Sequence, residues 1–230
     1  MSPRPSTRKA SPSPPRPAGA AIRVARKKAD AYQHGDLRRA LIQAGHKLLS
    51  EGSRDALTLR AAAQLAGVSH AAPYRHFQDK DALLAAIAAE GFRLLTQHMR
   101  QEIAALGPGA DHRGRLRAAA VGYVVFGVEN PSYLRLMFDG HPEVEDPELR
   151  QAGTEAYGVL RDLIDEGLRS GRLRPGDPDQ LALAAWSMCH GLSMLIIGGQ
   201  VPPAPVPRLE QARALAATLA DYLEEGLAPR

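Results

Sequence analysis

Leu57-Thr58-Leu59-Arg60-Ala61-Ala62-Ala63-Gln64-Leu65-Ala66-Gly67-Val68-Ser69-His70-Ala71-Ala72-Pro73-Tyr74-Arg75-His76-Phe77-Gln78-Asp79-Lys80-Asp81-Ala82-Leu83-Leu84 is the stretch that decides the fold. Thr58 suits an N-cap, and Leu59, Ala62, Ala63 and Leu65 follow as an apolar stripe. Gly67-Val68 breaks that helix after two turns. Ser69 suits the cap of a second short helix with body His70 to His76, which Pro73 makes short and irregular because proline is tolerated only in a first turn. Asp79 then caps a long helix through Leu83, Ile87, Leu94 and Leu95 towards Ala105, ended by Pro108 and its flanking glycines. Upstream, Leu37, Leu41, Ala44 and Leu48 form one stripe that stops at Gly52. Two short helices joined by a glycine turn, between longer striped helices, describe a helix-turn-helix, whose second short helix enters the DNA major groove.

The residues in that second helix suit the role. Ala71 and Ala72 permit close backbone approach, and Tyr74 and His76 can donate to phosphate oxygens. Lys80 stands at a helix start, where cation and helix N-terminus both favour a phosphate. The plainer alternative is an ordinary solvated helix face. Taken together the run closely resembles the DNA-binding domain of the TetR family of bacterial repressors, at Thr58, Ala62, Ala66, Gly67, Val68, Ser69, Tyr74, His76, Phe77, Lys80 and Leu83. The resemblance spans residues 34–84. It implies that Thr58 caps its helix and touches a phosphate, that Ser69 and His70 open the recognition helix, that Tyr74, His76 and Lys80 clamp the backbone, and that Phe77 is core. Arg60 and Arg75 complete the DNA-facing set. Which of Ala72, Pro73 and Arg75 reaches a base stays open.

Downstream, Asn130-Pro131, Asp146-Pro147 and Asp177-Pro178 each pair an N-cap residue with a proline at the first helical position, where a missing N–H costs nothing. Helices are expected near 113–128, 131–138, 147–170, 178–197 and 208–226. The link from Gly198 to Pro207 carries four prolines and reads as a semi-rigid loop. Alanine and leucine recur, aromatics number only eleven, and no strand is convincing. The expected class is all-α: a three-helix helix-turn-helix DNA-binding domain at 34–80, then a helical ligand-binding and dimerisation domain at 81–230.

Charge divides the same way. Residues 1–28 hold eight Lys/Arg, six prolines and no acid, whereas residues 81–230 hold fourteen Lys/Arg against twenty Asp/Glu. Only the front third suits a polyanion. Residues 1–33 read as a disordered basic arm, either touching DNA phosphates or making no specific contact. The arm lacks the apolar core of a signal peptide. Leu181 to Ile197 is apolar enough to raise a membrane span, but Ser187, His190, Gly191 and Ser193 interrupt it, and a buried helix or a dimer interface fits better; no membrane partner is expected. The single cysteine, Cys189, excludes an internal disulfide and any multi-cysteine zinc site, and fits a reducing cytoplasm.

Eight aromatics follow residue 80, and Trp186 and His190, four apart, share a helix face. Tyr123 to Asp139 and Ala185 to Gly191 resemble a C-terminal TetR subgroup in which a tryptophan, histidine and glycine recur as Trp186, His190 and Gly191 do here. That likeness implies a helical effector and dimerisation domain. Tyr123, Phe126, Met137, Phe138, Tyr157, Trp186 and His190 are the candidate pocket residues, although a histidine on an apolar helix is more often structural. No phosphate loop, paired-histidine metal helix or nucleophile elbow occurs, so neither enzyme, metal nor cofactor is expected. Glu143, Glu145, Asp146 and Glu148 read as capping and solvation. The expected function is a ligand-responsive repressor, released from a pseudo-palindromic operator by a small apolar or amphipathic molecule. The family resemblance implies a homodimer through helices near 178–197 and 208–226. The alternative is a helical DNA-binding or interaction module with no effector.

Overall fold

Thr58 caps helix α2 (Leu59–Ala66), its hydroxyl oxygen accepting from the Ala61 N–H at 3.0 Å. Gly67 ends it in the left-handed region, φ 71°, its N–H closing on the Ala63 and Gln64 carbonyls. These assignments come from a computed structural model that describes residues 34–52, 54–138 and 146–227. The basic arm 1–33 and the acids Glu143 and Glu145 lie outside the described residues. The remaining helices are α1 (His34–Glu51), α3 (Lys80–Ala105), α4 (His112–Glu129), α5 (Pro131–Phe138), α6 (Pro147–Arg169), α7 (Pro178–Ile197) and α8 (Arg208–Leu227). No strand occurs among the described residues. The fold is all-α, as expected.

Aspartate caps set four of the eight α-helix starts among the described residues. Asp79, Asp111, Asp146 and Asp177 each accept from an N–H two or three residues ahead at 2.8–2.9 Å, a contribution of about 1 kcal/mol apiece. Asn130 departs from that pattern. Its side-chain amide turns back and donates to the Phe126 carbonyl at 3.1 Å, beside its own backbone N–H at 2.8 Å. It therefore closes α4 rather than opening α5, and Pro131 already removes one of the N–H groups an N-cap would have to satisfy.

A second departure concerns the expected helix His70–His76. Residues 73–75 form a single 3-10 turn, opened by Ala72 without a side-chain cap. Ser69 instead takes the Ala72 N–H on its carbonyl at 2.9 Å. Proline is the cause: Pro73 has no N–H for the Ser69 carbonyl, so the Ala72 and His76 N–H groups bond three residues back, His76 to the Pro73 carbonyl at 2.9 Å, which also takes the Phe77 N–H at 2.9 Å.

Leu41, Leu57, Leu59, Ala62, Phe77, Leu83, Leu84 and Ile87 are buried together around the helix-turn-helix. Gly45 on α1 lets the helices close, because a β-carbon there would stand 2.7 Å from the Ile87 Cδ1. Further along, α4 packs against α3, α5, α6, α7 and α8 and is buried over Val121 to Gly127. Its crossing with α3 needs Gly122: a β-carbon would lie 2.7 Å from the Met99 Cα and 2.9 Å from the His98 carbonyl oxygen. Ion pairs tie α8 to its neighbours, Arg113 to Glu224 at 2.8 Å and Arg213 to Glu102 at 2.6 Å. The Arg208 guanidinium donates to the Ile196 carbonyl at 2.5 Å, a cation at the C-terminal end of α7.

Candidate functional site

Six of the eight DNA-facing candidates, Thr58, Arg60, Ser69, His70, Tyr74 and Arg75, are exposed along α2 and the turn that follows it. Tyr74 is 56% exposed, while its neighbours Pro73 and Phe77 are buried and hold the turn against the core. An aromatic in water with a fixed base beneath it suits a partner surface better than it suits solvent. His76 is half-buried, its ring 6.4 Å from that of Phe77. Lys80 is also half-buried, and its Nζ donates to the Arg54 carbonyl at 2.7 Å, which pins the ammonium beside the start of α3. Gly67 carries no neighbour within 4 Å of a β-carbon, so its role is the left-handed turn itself and not close packing.

In the C-terminal part, α3, α4, α5, α6, α7 and α8 line a cavity of about 290 Å³, near the lower end of the range for ligand pockets. Of the seven pocket candidates, Tyr123, Phe138, Tyr157 and Trp186 line it. Phe126 and Met137 do not. Phe126 is wholly buried, its ring packed edge-on to His98, and Met137 fills the space over Gly91. His190 stands behind the wall: its ring packs edge-on to Phe138 at 4.6 Å and its Nδ1 lies 3.0 Å from the Tyr123 hydroxyl. Phe92 adds a further ring, and the rest of the wall is aliphatic or small, with Leu95, Met99, Leu160 and Leu219 beside Gly153, Ala156 and Ala185. Nothing in the sequence distinguishes a wall leucine from a core leucine; only Gly153, a glycine inside a helix, carried a signal.

Two polar groups of the wall, with His190 behind it, satisfy one another. The Trp186 indole N–H donates to the Tyr123 hydroxyl at 3.1 Å. The hydroxyl also pairs with His190 Nδ1 at 3.0 Å, donating to it when the neutral imidazole carries its proton on Nε2. Burial lowers the His190 pKa and favours the neutral ring, and burial likewise raises the Tyr123 pKa, so the phenol stays protonated. Cys189 also faces the cavity, and burial pushes its thiol up to about 12, leaving no thiolate for chemistry. No group of three or more histidine, cysteine or acidic side chains is placed to hold a metal among the described residues.

Three helices link the cavity to the helix-turn-helix: α3 enters its core, and α5 and α6 meet α1. Phe92, Leu95 and Met99 of α3 line the cavity, and Leu83, Leu84 and Ile87 of the same helix sit in that core. On α5, Phe138 lines the cavity while Ser132 and Tyr133 hold His46 of α1. On α6, Tyr157 lines the cavity and Glu148 pairs with Arg38 of α1 at 2.5 Å and also with Arg93. The Arg38 guanidinium lies in turn over the Phe77 ring, 5.6 Å from its centre.

The description "Bacterial regulatory proteins, tetR family" matches residues 41–87, and "Tetracyclin repressor-like, C-terminal domain" matches residues 116–222. The chain belongs to the TetR family. A Rhodococcus sp. RHA1 protein described as of unknown function is 32% identical over 87% of this chain and 100% of its own, with a TM-score of 0.74. The fold is shared with the TetR family transcriptional regulator PfmR from Thermus thermophilus, at 21% identity over 83% of this chain and 96% of that one, TM-score 0.60. It is shared too with a TetR family regulator from Marinobacter aquaeolei VT8, at 20% identity over 84% and 96%, TM-score 0.65. No curated protein matches the sequence. As a TetR-family member the protein is a DNA-binding transcriptional regulator and not an enzyme, and regulators of this family bind operators as dimers.

Proposed function

We propose that this TetR-family protein is a cytoplasmic repressor that a small apolar or amphipathic molecule releases from a pseudo-palindromic operator. Residues 34–80 form its DNA-binding head and residues 81–230 its effector and dimerisation part. Thr58, Arg60, Ser69, His70, Tyr74, Arg75, His76 and Lys80 face the DNA. One observation carries the reading: the cavity shares helix α3 with the core of the head, so a molecule that moves Phe92 or Leu95 also moves Leu83 and Ile87. A ligand with unequal affinity for two settings of α3 shifts the population between operator-binding and released states.

The dimer is assigned to α7 and α8. By length and composition α7 is apolar enough to cross a membrane, yet little of it is buried within the chain. Leu183 is 54% and Leu195 48% exposed on α7, and Tyr222 is 66% exposed on α8. Two copies burying these faces would place the recognition turns in successive major grooves about 34–36 Å apart. A second copy therefore accounts for the apolar surface without a bilayer.

The test is to recover the DNA fragments the purified dimer selects, then measure operator affinity and melting temperature against a metabolite library. A compound that raises the melting temperature and weakens operator binding together supports the reading. A protein that binds its operator and answers to no compound is the effector-free module instead.

A further inference from the structure

Resting on the ligand-responsive reading above, we infer that the cavity admits a neutral aromatic molecule and rejects charged ones of the same skeleton. Among the described residues no Asp, Glu, Lys or Arg lines it. The strongest hydrogen-bonding groups on the wall are already occupied, because the Tyr123 hydroxyl takes the Trp186 N–H and pairs with His190 Nδ1. Among the described side chains, the Tyr157 hydroxyl and the protonated Cys189 thiol are left to meet a polar atom of the ligand. A carboxylate, sulfonate or ammonium would enter without a counter-ion, and a buried unpaired charge is strongly disfavoured.

The remaining wall favours a ring. Phe92 meets Phe138 edge to face at 5.6 Å, Phe138 meets Trp186 at 5.6 Å, and Trp186 meets Tyr157 at 6.2 Å. This continuous run offers both ring faces and ring edges at the spacings aromatic groups adopt with one another. Gly153 opens the wall opposite Phe92: a β-carbon there meets only the Phe92 ring, at 3.9 Å, so a larger side chain grows into the void.

The experiment compares two fluorescent probes that share one skeleton. N-phenyl-1-naphthylamine is neutral, and 8-anilinonaphthalene-1-sulfonate adds a fixed negative charge. Each is titrated into the full-length protein, into Gly153→Leu, which fills the cavity, and into Gly158→Leu, which stands in open space on the same helix. The neutral probe should saturate at one per chain, weaken at least tenfold in Gly153→Leu, and stay unchanged in Gly158→Leu. Binding of the sulfonate that Gly153→Leu abolishes should be about 100-fold weaker than that of the neutral probe. Sulfonate binding of that kind within tenfold of the neutral probe overturns the selectivity, while leaving the cavity as a ligand site. Neutral-probe binding that is absent, or indifferent to Gly153→Leu, overturns both this inference and the effector role of the cavity.

Discussion

The imidazole of His46 on α1 lies flat on the ring of Tyr133 on α5, 3.6 Å between centres and 10° between planes, while its Nε2 reaches the Ser132 hydroxyl at 2.8 Å. Burial lowers the His46 pKa below the ordinary 6.5. The native protein therefore resists a proton that the unfolded chain accepts. Stability is complete above pH 6.5 and falls as the pH drops from there towards the native value, because the unfolded chain then binds more protons. His190 is lowered for the same reason and adds to the slope. His46→Phe keeps a stacked ring and removes the titration, so its urea-unfolding free energy should decline less steeply between about pH 6.5 and 5 than that of wild type. It also gives up the bond to Ser132, a loss of about 1 kcal/mol at neutral pH. Equal slopes in the two proteins would refute the assignment.

Tyr123→Phe should cost more than its lost oxygen suggests. The Trp186 N–H and His190 Nδ1 both lose their partner in one step, and a buried donor without an acceptor costs about 1–3 kcal/mol. Trp186→Phe removes the donor with its bond and leaves the Tyr123–His190 bond in place. Chemical denaturation of the two single variants and the double variant should show a coupling energy above about 0.5 kcal/mol. Additive losses would mean that the three groups do not act as one network.

Two glycine-to-alanine changes should move stability in opposite directions. At Gly122 the added carbon meets backbone atoms of Met99 and His98 that cannot step aside, so α3 and α4 must part, at a cost of about 1–3 kcal/mol. At Gly158 nothing lies within 4 Å, and alanine brings only its helix preference, a gain of up to about 1 kcal/mol. Thermal unfolding should therefore rank Gly158→Ala above wild type and Gly122→Ala below it.

The helix boundaries were legible because aspartate caps and N-terminal prolines mark them locally, as at Asp146-Pro147 and Asp177-Pro178. Asn130 misled because one residue lies between two helices, and its amide satisfies the carbonyl behind it. The recognition segment was legible as a surface but not as a helix: Pro73 bars a regular helix, and only coordinates show that a 3-10 turn takes its place. The cavity was half legible. Aromatic content pointed to Tyr123, Phe138, Tyr157 and Trp186, whereas Phe126 and Met137 carry the same chemistry and fill the core. Which side of a helix faces a void depends on how six helices cross, and no local pattern encodes that.

The exposed side chains proposed to face DNA give the cleanest separation of function from stability. His70 and Tyr74 stand in solvent, away from the buried core of the head. His70→Ala combined with Tyr74→Phe should leave the melting temperature within about 2 °C of wild type, since surface changes stay within roughly 0.5 kcal/mol. Operator affinity should fall by about tenfold or more through the lost hydrogen bonds to DNA. Arg60→Ala tests the electrostatic share separately. If its guanidinium meets a phosphate, the slope of log affinity against log salt should shrink by about 0.9 for each chain. Lys80→Ala is the contrast: its ammonium also holds the Arg54 carbonyl, so it should lose stability as well as affinity. Gel-shift titrations at several salt concentrations, read beside melting curves, separate these cases. Unchanged operator binding in the His70/Tyr74 double variant would take both residues out of the interface.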